Sequence, residues 1–442
     1  MIEAGTGVLD ITPNLGANLA GSFAVRPAAR VENPIHVRAL VIANETETVA
    51  LVLCDLVCIT GDTVRAARKL ASEATGIAED HILISATHTH YAPAPAKLLS
   101  TEPNPEYLAT LPQRIADAVA LARDSRRPAR IAHGAADTVN ICFNRRYRMK
   151  NGTVVFNPGI GNPDIVEPSG PVDPQVASLL VEDLDGKAIA LWSCLSLHYV
   201  GVDDEYTISP DYFGDFDTIT REWLGEDCVG FLTNGTSGQI NNVDVRPHDR
   251  IPYTRKRRQV AGAVAGAAIQ ATNLQHRSDS ADIASALLPF SVKRREITAS
   301  DLELARRILA TANDEDLPDE QFSYVAGQPI PVKQRRQYAE EAIALADWPE
   351  SFETELQVIR IGDFSIVALP GEMFVEFGLA LKAASPTATT AVVSLANDYI
   401  GYCPTLAAFS EGAYETWAAK SAWPAPGTGE AMVEAVRDHW HH

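Results

Sequence analysis

No stretch of this 442-residue chain approaches the roughly 18 uninterrupted apolar residues that a membrane-spanning helix requires, so no membrane insertion is expected. Positive charge is scarce as well. Lys and Arg number 37 against 57 Asp and Glu, a net charge of −20. Proteins that grip a phosphate backbone or an anionic membrane surface do so with clustered Lys and Arg, which speaks against nucleic acid or such a membrane as partner. The six cysteines (Cys54, Cys58, Cys142, Cys194, Cys228, Cys403) include no CxxC pair. They therefore support neither a zinc ribbon nor a thioredoxin-like motif and read as buried free thiols. The opening residues, MIEAGTGVLDITP, hold an acid at Glu3 and no basic start followed by an apolar run. They do not read as a secretory signal, and the expected location is cytoplasmic. Long Pro, Ser or Gly tracts, blocks of like charge and internal repeats are all missing, so the sequence offers no linker at which to divide it. One large domain over residues 1–442 is expected.

Apolar residues are plentiful, at 46%, enough for a substantial core. Residues 49–53 (VALVL) form a β-branched and aliphatic run expected to be a buried strand. Residues 63–75 have helical spacing, residues 81–86 (HILISA) read as a second strand, and residues 106–122 as an amphipathic helix. Strand, helix, strand, helix predicts a mixed α/β fold with sheets covered by helices. Further on, residues 188–195 are apolar and 198–215 irregular. Residues 231–243 read as a Gly- and Asn-rich loop after a strand. Helices are expected near 259–271, 301–312 and 334–346, and a hairpin over 355–369 with a Gly-Asp turn.

The chemistry concentrates in four places. His88 and His90, in Ala86-Thr-His-Thr-His90, follow directly on the strand HILISA. If strand geometry persists the two imidazoles share a face, where both bind one ion or one binds while the other carries protons. His198 ends a second apolar run and is open to two readings, a ligand or a neutral core imidazole. Glu372, in Leu369-Pro-Gly-Glu372, ends a predicted buried strand. A carboxylate there needs a cation or a partner, unless it is simply an exposed acid at a helix start. Tyr399 and Tyr402 flank Gly401 after another apolar run and have the character of core tyrosines with bonded hydroxyls. His36, His81, His133, His248 and His276 lack such a context, and His439, His441 and His442 are set aside as terminal.

Together, in this order and with these flanks, the segments resemble the neutral/alkaline ceramidase family, whose amidase domain carries one zinc ion. The likeness begins at Gly5-Thr-Gly-Val-Leu-Asp-Ile-Thr-Pro13 and continues through His36 to Ile42 and Asp55-Leu56. It is strongest at Ile84-Ser-Ala-Thr-His-Thr-His90, and returns at Asn144-Arg145, Pro370-Gly-Glu372 and Asn397 to Tyr402. The family's additional immunoglobulin-like domain is expected to be missing.

The resemblance implies one Zn2+ per chain held by His88, His198, Glu372 and Tyr402. It puts His90 beside the metal as an acid/base or oxyanion-stabilising group, and turns Arg145 toward developing negative charge. One stretch departs from the family. Gln239 stands where its GDVSPN loop has Asp, and Asn241 where that loop has Ser. Asn is no nucleophile, but its amide donates to an oxyanion. The implied activity is hydrolysis of an amide bond in a small polar acyl compound by a metal-activated water. An esterase or lactonase, and a non-catalytic ligand-binding relative, are the alternatives.

Overall fold

The computed structural model describes residues 1–441. Its main sheet has eight strands: β1 (Ile2–Asp10), β2 (His36–Ala43), β3 (Thr48–Cys54), β4 (Ile82–Ala86), β5 (Arg127–Asp137), β6 (Gln175–Asp183), β7 (Ala188–Leu195) and β8 (Val229–Asn234). Their order is β8-β7-β6-β5-β1-β2-β3-β4, with parallel pairs at the two edges and antiparallel pairs between. A second sheet runs β9 (Ile283–Lys293), β10 (Ser351–Ile361), β11 (Phe364–Ala368), β12 (Thr389–Val393), its last pair parallel.

Both faces of the large sheet are covered, which is why β3, β4 and β7 read as continuous apolar runs rather than alternating ones. On β3, Ala50, Val52 and Cys54 face helices α1 (Gly61–Thr75) and α2 (Pro105–Asp124). The interleaved Val49, Leu51 and Leu53 face the second sheet. Near the other edge, α3 (Tyr212–Leu224) and α4 (Tyr253–Asn273) cover β6, β7 and β8. Between the sheets Trp192 meets Phe364 edge-on, ring centroids 5.8 Å apart, a geometry worth about 0.5–1.5 kcal/mol beyond burial. Helices α7 (Val375–Ala384) and α9 (Thr428–His441) close the outer face of the second sheet, giving four layers, helix-sheet-sheet-helix. A satellite core forms around α5 (Ala299–Ala310) and α6 (Arg335–Ala346), and the short α8 (Leu406–Glu411) precedes α9. At Gly5 and Gly7 a Cβ would run into the backbone of α2, so these two glycines set how closely that helix lies on β1.

The mixed α/β expectation holds, as do the strands near 49–53 and 81–86 and the hairpin over 355–369. The helices near 259–271, 301–312 and 334–346 are found with shifted ends. All six cysteines are buried and free. No helix of the described residues is long and apolar enough to cross a membrane. The terminal histidines differ from expectation: His439 and His441 belong to α9 and are exposed on it, while His442 lies outside the described residues.

Candidate metal centre

Four parallel-paired strands deliver the candidate ligands from their carboxyl ends. His88 follows β4, His198 follows β7, Glu372 follows β11 and Tyr402 lies beyond β12. Although β4 and β8 are opposite edges of one sheet, one segment after β12 joins them. Ser394 donates its backbone N–H to the Asn234 carbonyl at the end of β8 (3.0 Å), and the Leu395 carbonyl accepts from Ala86 at the end of β4 (3.1 Å). The Asn397 side chain completes the seam, accepting from Ile84 and donating to Gln357. Leu395 and Asn397 both take positive φ, 55° and 66°, strain that persists because the surrounding bonds over-determine it.

Strand geometry does not persist through the His-Thr-His motif. His88 adopts φ 74°, a left-handed turn, and the two imidazoles converge through that turn rather than by alternation. Each of three histidines bonds a backbone carbonyl through Nδ1: His88 to Val57 (2.6 Å), His90 to Gly21 (2.9 Å) and His198 to Ser237 (2.7 Å). A carbonyl only accepts, so each Nδ1 carries a proton and each ring turns its Nε2 inward. His88 Nε2 lies 3.4 Å and His198 Nε2 3.3 Å from the same carboxylate oxygen, Glu372 Oε2. His90 Nε2 is 3.3 Å from His88 Nε2.

Both His198 Nε2 and Glu372 Oε2 are buried with no hydrogen-bond partner among the described residues. Burial, with Arg145 adding to it, pushes the His198 imidazole down to about 4. Burial and the neighbouring His88 and His198 hold His90 well below its ordinary value. Inward lone pairs facing a buried carboxylate repel one another, and a cation among them removes that repulsion. His88, His198 and Glu372 thus offer three donor atoms, all within 4.8 Å of one another, which fits a metal ion.

Glu372 and Tyr402 are register partners in a short parallel pair, so their side chains share a face. The Tyr402 hydroxyl accepts a hydrogen bond from Arg145 Nη2 at 3.1 Å, and burial, then Glu372, raises its pKa well above 10. Arg145 also donates to Glu415 (2.8 Å) and the Gly238 carbonyl (2.7 Å). Its Nη1 has no partner among the described residues, and the guanidinium lines a cleft of about 1080 Å3 that also reaches His198, Tyr199 and Asn241. Asn241 Oδ1 accepts from Val243, and one N–H bonds Asn157, which leaves its second N–H. The His90 ring stacks on Tyr199 at 3.8 Å.

Several side chains take parts their sequence context did not suggest. Tyr399 donates to Glu372 Oε1 at 2.9 Å and so orients the carboxylate. Fully buried Glu415 bridges Arg145 and Arg146, and Tyr414 packs edge-on against Tyr402. Asp211 bonds the backbone of Val200 and Gly201 rather than an imidazole, fixing the chain just after His198. The loop after β8 offers no open row of N–H groups, because Gly235 and Gly238 donate to the Leu195 and Met373 carbonyls. Gln239 is tied to α7 through Glu376 and the Val375 N–H.

No family model and no curated protein matches the chain. Solved structures do. Neutral ceramidase from Pseudomonas aeruginosa superimposes with a TM-score of 0.71 at 17% identity, over 99% of this chain and 75% of that one. A structure of ceramidase complexed with C2 gives the same values. The chain therefore has the neutral ceramidase fold, as its sequence resemblance implied.

Proposed function

We propose that this chain, with residues 1–442 as one catalytic unit, is a zinc-dependent hydrolase that cleaves an amide bond of a small polar acyl compound. The observation that carries the reading is the buried convergence of His88 Nε2, His198 Nε2 and Glu372 Oε2, with Arg145 bonded to Tyr402 and lining the same cleft as His198. Those three atoms and the Tyr402 oxygen would hold the ion. Two imidazoles with an oxygen pair suit zinc, which supplies a Lewis acid for a carbonyl and lowers the pKa of a water at its open position toward about 7. His90 Nε2, neutral and inward-facing, takes the proton released by the attacking water and passes it to the leaving nitrogen. Arg145, held through Nε by Glu415, donates its Nη1 to the tetrahedral oxyanion, and the second N–H of Asn241 assists. Asn157, Asn241, Asn242 and Lys256 on the cleft wall supply hydrogen-bonding groups for a polar compound. The likeness to ceramidase supports the amide.

The test is a side-by-side screen of small amides, esters and lactones with zinc-loaded protein. Turnover is expected on amides, reduced about 100- to 10,000-fold in His90→Gln with zinc retained. A preference for esters or lactones reassigns the bond, and no turnover of any class overturns the reading.

A further inference from the structure

We propose that the substrate bound in this cleft carries a carboxylate, and that Lys256 binds it. The inference rests on the hydrolase reading for the bond that is cleaved, and concerns what recognises the rest of the molecule. Lys256 lies in the first turn of α4 and lines the cleft, half-buried. Its Nζ donates to the Asn242 carbonyl at 2.8 Å. An ammonium has three N–H donors, so two are left for a ligand.

The neighbouring cations differ from it. Arg257 pairs with Glu32 and Asp215, and Arg258 with Glu222. Among the other cleft cations, Arg145 pairs with Glu415 and Arg30 with Asp204, while Arg250 is exposed to water. Lys256 makes no ion pair among the described residues. An ammonium withdrawn from water without an anionic partner is costly, and burial lowers its pKa accordingly. A carboxylate from the ligand relieves that cost.

The lysine is also joined to the reacting end. Asn242, which accepts from Lys256, donates through Nδ2 to the Tyr199 carbonyl, and the Tyr199 ring stacks on His90. One wall thus runs from the ammonium to the imidazole. The nearby carboxylates do not cancel the ammonium: Asp244, the one that acts on it, is paired with Arg246 at 2.6 Å. Asp203 caps α4 through the Tyr253 and Thr254 N–H groups, and Asp204 is taken by Arg30. Glu205 and Asp249 are exposed, where water and salt screen them.

The recognised chemistry is a small amide with a carboxylate on either half. Two substrate series distinguish the sources: N-acetyl amino acids place it on the amine half, and monoamides of dicarboxylic acids on the acyl half. Each is compared with its neutral carboxamide isostere, using the zinc-loaded full chain, Lys256→Gln and Lys256→Arg. In one series wild type is expected to favour the carboxylate by about tenfold or more in kcat/KM, the scale of one charge-assisted hydrogen bond. Lys256→Gln abolishes that ratio through KM, and Lys256→Arg keeps most of it. No preference in wild type, or an unchanged ratio in Lys256→Gln, overturns the inference. If wild type turns over no amide, the hydrolase reading fails on its own. Calorimetric titration with the same carboxylates then decides: affinity about tenfold weaker in Lys256→Gln supports the inference, and equal or absent binding overturns it.

Discussion

Replacing Glu415 by Gln keeps the shape of a fully buried side chain and removes its charge. In the native protein Oε1 takes Arg145 Nε at 2.8 Å and Oε2 takes Arg146 Nη1 at 3.1 Å. The variant leaves two buried guanidinium groups without their shared anion, and sets an amide N–H against an arginine N–H. Breaking a buried pair from one side costs about 3–5 kcal/mol. Arg146 keeps Glu411 at 3.4 Å and the Gly412 carbonyl, which places the cost near the lower end. Unfolding entropy of about 2.1 cal/mol/K per residue gives about 0.9 kcal/mol/K for a chain of this length, so Tm is expected to fall about 3–5 °C. Scanning calorimetry and urea denaturation read this directly. Because Glu415 also aims Arg145, kcat is expected to fall toward the about 100-fold loss of one oxyanion donor, with zinc content unchanged. A Tm within 1 °C of wild type and an unchanged kcat would refute this reasoning.

Other substitutions probe separate parts. Gly21→Ala puts a Cβ into the His90 ring at a residue with φ 83°, and is expected to cost about 1–2 kcal/mol of stability from the backbone alone. It should also cost about 100-fold or more in kcat while zinc stays bound; an unperturbed kcat removes His90 from the chemistry. Tyr399→Phe frees Glu372 Oε1, and competition with a chelator is expected to show zinc affinity about 10- to 100-fold weaker; equal affinity means the hydroxyl does not orient the ligand. Asp301 supplies a pH test. Burial raises its carboxyl, but hydrogen bonds from Ser323 and Thr298 win and hold it below 3.8. A depressed native pKa means stability present above the unfolded value and lost as pH falls through the native one. Asp301→Asn is therefore expected to cost about 1–2 kcal/mol at pH 7, a gap that narrows below about pH 4 in denaturant titrations; a gap independent of pH contradicts the assignment.

Locally encoded features were legible in the sequence. The run before His88 announced β4 because a strand buried on both faces is apolar throughout, and the Gly362-Asp363 turn announced its hairpin. What depended on distant contacts was not. The sequence of β5, RPARIAHGAAD, is rich in Ala and Gly and carries little strand preference, yet it lies between β1 and β6 in the sheet. Helix α3 sits behind an irregular, acid-rich approach that hides its start. The Val57, Gly21 and Ser237 carbonyls that fix the histidine tautomers come from three separate loops, with no side-chain signal to mark them. Tyr399 read as core because nothing local links it to Glu372. That link exists only once β11 and β12 lie side by side. Resemblance supplied the order of the candidate ligands, while local pattern left each with a plainer alternative.

The most direct test is elemental metal analysis of purified wild type beside His198→Ala. His198 is the apt choice because it lies outside the His-Thr-His motif and the terminal histidines, and its Nε2 is buried with no hydrogen-bond partner among the described residues. The expected result is about one zinc per chain in wild type and its loss in the variant, with the fold retained by circular dichroism. Wild type that holds no metal after zinc addition and dialysis, or a variant that keeps its full complement, contradicts a metal centre built on His88, His198 and Glu372.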